Sequence, residues 1–94
     1  MPVFRLTPVE GRKDDERWLA SSQNETCWID ERDADMARRT MEGATKRMID
    51  RREGQPMNIY SPWLDAALVH CEQDDSKSVP KGHYVTASGR IYTL

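Results

Sequence analysis

The sequence is poor in branched aliphatic and phenylalanine residues: Leu, Ile, Val and Phe together account for 15 of its 94 residues. That share lies below the roughly 20% at which disorder becomes a concern. Disorder by composition also requires a large net charge, whereas 14 Lys and Arg nearly balance 16 Asp and Glu. Because a second core would leave each half near the lower size limit for folding, we expect one domain with a thin core.

Long apolar runs are also missing. No window approaches the roughly 18 consecutive apolar residues of a membrane span, and residues 1–5 lack the apolar stretch of a secretory signal. These absences predict a cytoplasmic location. The net charge of −2 supplies no overall field that would attract nucleic acid or an anionic bilayer. Binding of either kind would need a local basic patch.

Cysteine and histidine are scarce, with two of each. A structural zinc site normally shows ligand pairs two to four residues apart, and the adjacent His70 and Cys71 do not form such a pair. No glycine-rich turn lies beside Cys27 or Cys71 to supply an oxyanion hole, so both are predicted to be buried free thiols. The chain also lacks a phosphate loop, a dinucleotide fingerprint and a Gly-x-Ser-x-Gly motif. We expect no metal, no cofactor and no enzymatic activity.

Alternating apolar and polar residues predict three short antiparallel strands in the first third of the chain. The first covers residues 2–7 and ends at Pro8. The second is predicted over residues 18–21 and the third over residues 25–31. Between the first two strands, the charged stretch 10–17 is typical of a solvated loop.

The strongest local pattern predicts a helix over residues 34–51. Asp33 is a favourable N-cap, Asp35 places negative charge in the first turn, and basic residues crowd the predicted last turns. Gly54 followed by Pro56 would end the helix. Apolar residues recur at spacings of three and four and predict one buried face: Ala34, Ala37, Met41, Ala44 and Met48.

The basic end of this helix suggests an alternative function. Lys46, Arg47, Arg51 and Arg52 lie close together, and a nucleic-acid contact made by them would be weak and strongly salt-dependent. Residues 33–53 contain six basic and five acidic residues, a balance too even for a phosphate-binding surface. We therefore expect these charges to solvate the helix and to balance its dipole.

The segment after the helix leaves its structure open. Residues 57–60 fit a short strand, and Ser61-Pro62 predicts an N-cap followed by one helical turn to Ala66. Residues 67–72 fit either a strand or a helical face, with a strand favoured. Trp63 lies at the predicted bend, where we expect its ring to pack over the start of the helix; the alternative is that it anchors a partner protein.

A C-terminal β-hairpin is predicted over residues 83–94. Ser88-Gly89 predicts a two-residue turn, which would place Tyr84 opposite Thr93. Both faces of the hairpin would carry apolar or aromatic side chains, so it needs cover from its own domain or from a partner chain. Tyr84 and Tyr92 are accordingly candidate partner-binding residues.

Four short blocks resemble recurring blocks of short, uncharacterised bacterial proteins. They are Phe4-Arg5-Leu6-Thr7-Pro8, Asp35-Met36-Ala37-Arg38-Arg39, Ser61-Pro62-Trp63-Leu64-Asp65 and Leu68-Val69-His70-Cys71-Glu72. The resemblance spans residues 4–72 and implies a bacterial origin. It implies no activity, cofactor or site.

Together these patterns predict a small α+β domain in which an antiparallel sheet is covered on one face by the main helix. Residues 1–73 would form the domain, 74–82 a polar linker or mobile loop, and 83–94 the hairpin. Because the core is thin, we expect the second face of the sheet to be exposed. A second copy of the chain is the nearest apolar surface that could cover this face. We expect a non-enzymatic protein-interaction module that forms a homodimer or binds an unknown protein.

Overall fold

The computed structural model describes residues 2–46 and 61–94. Five strands form one antiparallel sheet in the order β3-β1-β2-β4-β5. Their bounds are Val3–Pro8 for β1, Cys27–Asp30 for β2, Val69–Gln73 for β3, His83–Thr86 for β4 and Ile91–Thr93 for β5. The α-helix in the described part of the chain, α1 (Ala34–Thr45), packs against this sheet. The predicted α+β class, the helix over the antiparallel sheet and the C-terminal hairpin are confirmed.

The sheet has two different faces because side chains alternate along each strand. We call the face under α1 the helix face, and it holds most of the core. Its central strands contribute Phe4, Leu6, Cys27, Ile29 and Tyr84. We call the opposite face the strap face, and it carries Val3, Arg5, Trp28, Val85 and Ile91.

The buried stripe of α1 differs from the predicted one at a single described position. The helix begins at the predicted N-cap, Asp33, whose carboxylate accepts a backbone N–H at 2.8 Å. Ala37 and Met41 are fully buried, as predicted. Ala44 is exposed, and Thr45 takes the buried place beside it. The prediction was wrong there because the stripe was drawn from apolarity alone, whereas Thr45 is buried with its hydroxyl satisfied inside the helix.

The helix ends at Thr45, earlier than the predicted 34–51. The carbonyl of Thr45 accepts a hydrogen bond at 2.8 Å from the backbone of Ser21-Ser22, which satisfies one of the free groups of the last turn. Lys46 then forms an isolated bridge with the same segment. Contacts with a distant stretch of chain thus set this end. Met48 and the predicted strand at 57–60 lie outside the described residues.

The predicted strand over residues 18–21 is instead a 3₁₀ helix, Glu16–Ala20. The carboxylate of Asp15 caps it by accepting the backbone N–H of Arg17 at 2.9 Å. The helical turn directs Trp18 inward, where its indole N–H donates to a backbone carbonyl at 3.2 Å. The short apolar run was therefore a helical turn with a buried tryptophan rather than a strand.

The segment after residue 60 follows the prediction closely. Ser61 caps a 3₁₀ helix, Pro62–Leu64, in the place of the predicted helical turn. Residues 67–72, which fit either a strand or a helix, contain the first four residues of β3. The favoured alternative, a strand, is thus confirmed.

The hairpin β4–β5 is one residue out of the predicted register. Tyr84 lies opposite Tyr92 rather than Thr93, because the loop spans residues 87–89 instead of two residues. Gly89 takes a φ of 86°, the left-handed conformation that a three-residue hairpin loop requires. The shift places both tyrosine rings on the helix face.

Residues 74–82, predicted as a polar linker or mobile loop, cross the strap face and are fastened to β1. The backbone N–H of Asp74 donates to Val3 at 2.8 Å, and the N–H of Val3 donates to the carboxylate of Asp75 at 2.9 Å. Val79 is buried in a small apolar cluster on this face. The hairpin that follows joins the sheet of its own chain by pairing β4 with β2.

Candidate interaction surface

Among residues 2–46 and 61–94, nothing covers the outer side of β5, which is a sheet edge. Within the described residues, β5 pairs with β4 alone. Arg90 and Leu94 form backbone hydrogen bonds of 2.9 Å toward the β4 side. Since backbone groups alternate in direction along an antiparallel strand, the N–H and C=O groups of Ile91 and Thr93 point away from the sheet. This edge therefore offers a second strand both donors and acceptors.

The side chains at this edge are uncharged. Ile91 is 59% exposed and Leu94 is 43% exposed, and no charged residue lies within β5. The opposite edge strand, β3, carries Glu72, which forms an ion pair with Arg5 at 2.9 Å. Charges on edge strands hinder edge-to-edge pairing, so β5 is the edge without this protection.

Tyr84 and Tyr92, two of the predicted partner-binding residues, form a stacked pair next to this edge. Their ring centroids are 5.0 Å apart and the rings are within 13° of parallel. Burial raises the pKa of Tyr84, and a hydrogen bond with the Gln23 side chain acts in the opposite direction. Tyr84 is buried and Tyr92 is half-buried, so Tyr92 is the member of the pair that a partner can reach.

Trp63, the third predicted partner residue, lies in the core. Its side chain is fully buried, and its indole N–H donates to the Ser21 hydroxyl at 2.9 Å. Its ring meets the Trp18 ring edge to face, with centroids 5.4 Å apart. This position assigns Trp63 to packing between the two 3₁₀ helices rather than to a partner surface.

Of the four basic residues of the nucleic-acid alternative, one lies within the described residues. Lys46 is exposed just beyond α1. Two earlier arginines of the helix are already engaged: Arg38 donates to two backbone carbonyls at 2.9 and 3.1 Å, and Arg39 pairs with an acidic side chain one turn earlier. The remaining three candidates lie outside the described residues: Arg47, Arg51 and Arg52. The nucleic-acid alternative stays a prediction.

The two cysteines are free thiols. Cys27 is fully buried on β2, and Cys71 is half-buried on the edge strand β3. Burial raises the pKa of both thiols, which disfavours the reactive thiolate form. Over residues 2–46 and 61–94, no group of three or more His, Cys, Asp or Glu side chains is arranged to hold a metal ion.

A half-open cleft of about 490 Å³ lies between the loop before the first 3₁₀ helix and the loop after it. Its buried polar side chains already have partners within the chain. The Ser21 hydroxyl donates to the Gln23 carbonyl at 2.7 Å, and the Gln23 side-chain oxygen accepts two backbone N–H groups at 3.2 Å. The Ser21 and Gln23 side chains therefore stabilise the loop conformation and are not directed at a ligand.

The strap face is organised around Trp28. Its indole N–H donates to the Asp74 carboxylate at 3.3 Å, and the Lys77 ammonium lies 4.3 Å from its ring centroid. Hydrogen bonds from Ser76, with a smaller contribution from the Arg5 charge, lower the pKa of Asp74 to about 2. An ionised carboxylate thus ties the crossing segment to the sheet.

The residues that define the β5 edge and the strap face were not predicted as site residues. Ile91 and Thr93 were predicted to lie in a hairpin, but not at an open sheet edge. The absence of charged residues from this strand was the sequence feature that could have indicated a pairing edge. Lys77 and Val79 were placed in a linker. The signal there was a lone valine inside the polar run 74–82.

No family model, curated protein or solved structure matches the chain. No α-helix in the described part of the chain is long and apolar enough to cross a bilayer. A function is therefore inferred from the geometry of the β5 edge and the strap face.

Proposed function

We propose that the chain is a non-enzymatic protein-interaction module that forms a homodimer through the outer edge of β5. The observation that carries this proposal is the uncharged edge on which the backbone groups of Ile91 and Thr93 point outward. An exposed edge of this kind binds another strand through main-chain hydrogen bonds. The occupant that we assign to it is β5 of a second copy.

The β5 edge is complementary to itself in the antiparallel orientation. When Tyr92 of both copies lies on a two-fold axis, Ile91 of each copy faces Thr93 of the other. All the outward N–H and C=O groups of both strands are then paired. The two Tyr92 side chains also become neighbours on the helix face, which extends the stack that each one forms with Tyr84.

Charge also favours the antiparallel self-pairing. Arg90 is the charged residue adjoining β5. In the antiparallel arrangement the two Arg90 residues lie at opposite ends of the paired strands, about 14 Å apart at about 3.4 Å per residue. A parallel arrangement would place them side by side. The isologous dimer therefore avoids a like-charge contact.

Molar mass in solution, measured over a range of protein concentrations, tests this proposal. We expect a concentration-dependent dimer for the parent chain. Ile91→Lys places a charge on the edge and should yield a monomer at the same concentration. Leu19→Lys is the matched control, because Leu19 is 58% exposed, nearly as much as Ile91, but lies on the first 3₁₀ helix. This control should remain dimeric.

Hydrogen exchange gives a second and local test. The amides of Ile91 and Thr93 should be protected in the dimer and should exchange rapidly in the Ile91→Lys monomer. Thr93→Pro removes one outward N–H and leaves the bonds to β4 in place, so it should also dissociate the dimer. A parent chain that stays monomeric at millimolar concentration, or a dimer that survives both substitutions, would refute the proposal.

The other expectations stay predictions. A cytoplasmic location and a bacterial origin rest on the sequence. For the nucleic-acid alternative, titration of the chain with a nucleic-acid pool at low and high salt is the discriminating measurement, because contacts by a basic patch weaken steeply with salt. Tight binding at low salt that is lost at high salt would favour this alternative.

A further inference from the structure

The strap face carries an apolar strip that part of the chain covers. Trp28, Val85 and Ile91 lie side by side on β2, β4 and β5. Val3 and Val85 are buried on this face, although α1 packs on the other one. Their cover comes from residues 76–80, which we call the strap. The strap places Val79 against the two valines.

The strap is held to the sheet by side chains. Apart from the local turn bond from His83 to Pro80, no backbone hydrogen bond joins residues 76–80 to a described strand. The firm attachments lie at its two ends, at Asp74 and at the start of β4. Displacement of the strap would therefore break no hydrogen bond of the sheet ladder.

The contacts of the strap show which chemistry the strip accepts. The Lys77 ammonium lies over the Trp28 ring, a favourable position for a cation. Two residues later, Val79 fills the space beside Val3 and Val85. A spacing of two directs both side chains of an extended segment toward the same surface. The strip thus contacts a cation and then a small apolar side chain of the strap, in that order along the chain.

We propose that the strap is a displaceable cover, and that the strip beneath it binds an extended segment of a partner protein in which Lys or Arg precedes a small apolar residue by two positions. The Lys77 ammonium over the Trp28 ring is the observation that favours a cation at this end of the strip. Because the strap is tethered at both ends, it occupies the strip at a high effective concentration. The strap contacts Trp28, Val3 and Val85 rather than the outward backbone groups of β5, so the inference does not depend on the dimer.

A synthetic peptide with the sequence of residues 74–82 is the probe. It is added to the full chain carrying Lys77→Ser and Val79→Ser, and the indole N–H signal of Trp28 is followed by NMR. We expect a saturable shift, and binding to the parent chain that is about tenfold weaker because the strap competes. A peptide in which the residues corresponding to Lys77 and Val79 are replaced by serine should cause no shift.

The amide of Ile29, fully buried on β2, reports whether the double variant is folded. If it is not, the single variant Lys77→Ala serves instead, with Lys81→Ala as the matched control from the same segment. The peptide should bind the Lys77→Ala chain more tightly than the Lys81→Ala chain. Absence of a shift in a folded variant, equal binding to variant and parent, or an equal effect of the serine peptide would each overturn the proposal.

Discussion

Replacing Trp63 by phenylalanine separates a core role from a partner-binding role for this residue. The indole is fully buried, contacts Trp18 edge to face and donates a hydrogen bond to the Ser21 hydroxyl. Phenylalanine keeps an aromatic ring at this position and removes the N–H group and part of the volume. We expect Trp63→Phe to lower stability and to leave the monomer–dimer equilibrium unchanged.

The expected loss has two parts. Removing the hydrogen bond costs about 0.5–1.5 kcal/mol, and the Ser21 hydroxyl is not left unsatisfied because it still bonds to Gln23 in both directions. The smaller ring leaves a small cavity, which costs about 1 kcal/mol. The total of about 2 kcal/mol corresponds to a decrease in Tm of about 8–16 °C for a domain of this size.

Urea and thermal unfolding, followed by circular dichroism, measure this loss. Leu64→Ala is the control, since Leu64 adjoins Trp63 in the same 3₁₀ helix but is about half exposed. It should change the free energy of unfolding by no more than about 0.5 kcal/mol. A Trp63→Phe chain that is as stable as the parent, or one that is stable but no longer dimerises, would contradict the assignment of Trp63 to the core.

Three further predictions concern single positions. Ala44→Glu should change the free energy of unfolding by less than about 0.5 kcal/mol because Ala44 is exposed, whereas Met41→Ala should cost about 2–5 kcal/mol in the same urea titration. Cys27 should react with a thiol reagent more slowly than Cys71, and both should react faster in denaturant; a fast-reacting Cys27 in the folded chain would contradict its burial. The pKa of Asp74 is lowered in the fold, so its contribution to stability is complete above about pH 4 and is lost as the pH falls toward about 2. Asp74→Asn should therefore flatten the dependence of stability on pH in that window, and an unchanged slope would refute the carboxylate tie.

The strands were predictable because their signal is local. Most residues of β1 and β2 alternate between buried and half-buried, so both strands lie within one or two residues of their predicted bounds. The N-cap of α1 was equally visible, since Asp33 acts on the backbone of its own first turn. These local features were therefore captured, although the equally local 3₁₀ helix Glu16–Ala20, capped by Asp15, was predicted as a strand.

Features that depend on distant residues were not predictable in this way. The end of α1 is set by Ser21-Ser22, and the burial of Trp63 by Trp18 and Ser21. The register of the hairpin depended on one additional loop residue, which composition does not reveal. For the candidate surface, the strand β5 was predictable, but its position at the edge follows from the order of the whole sheet.

The position of β1 between β2 and β3 has a consequence for the synthesis of the chain. β2 follows β1 closely along the sequence, but the partner on the other side arrives late: Arg5 and Asp74, which are joined by an ion pair, are 69 residues apart. A nascent chain therefore has an apolar strand with one uncovered side until β3 leaves the ribosome. Fragments that stop before β3 should aggregate rather than fold, because that side is a template for strand pairing.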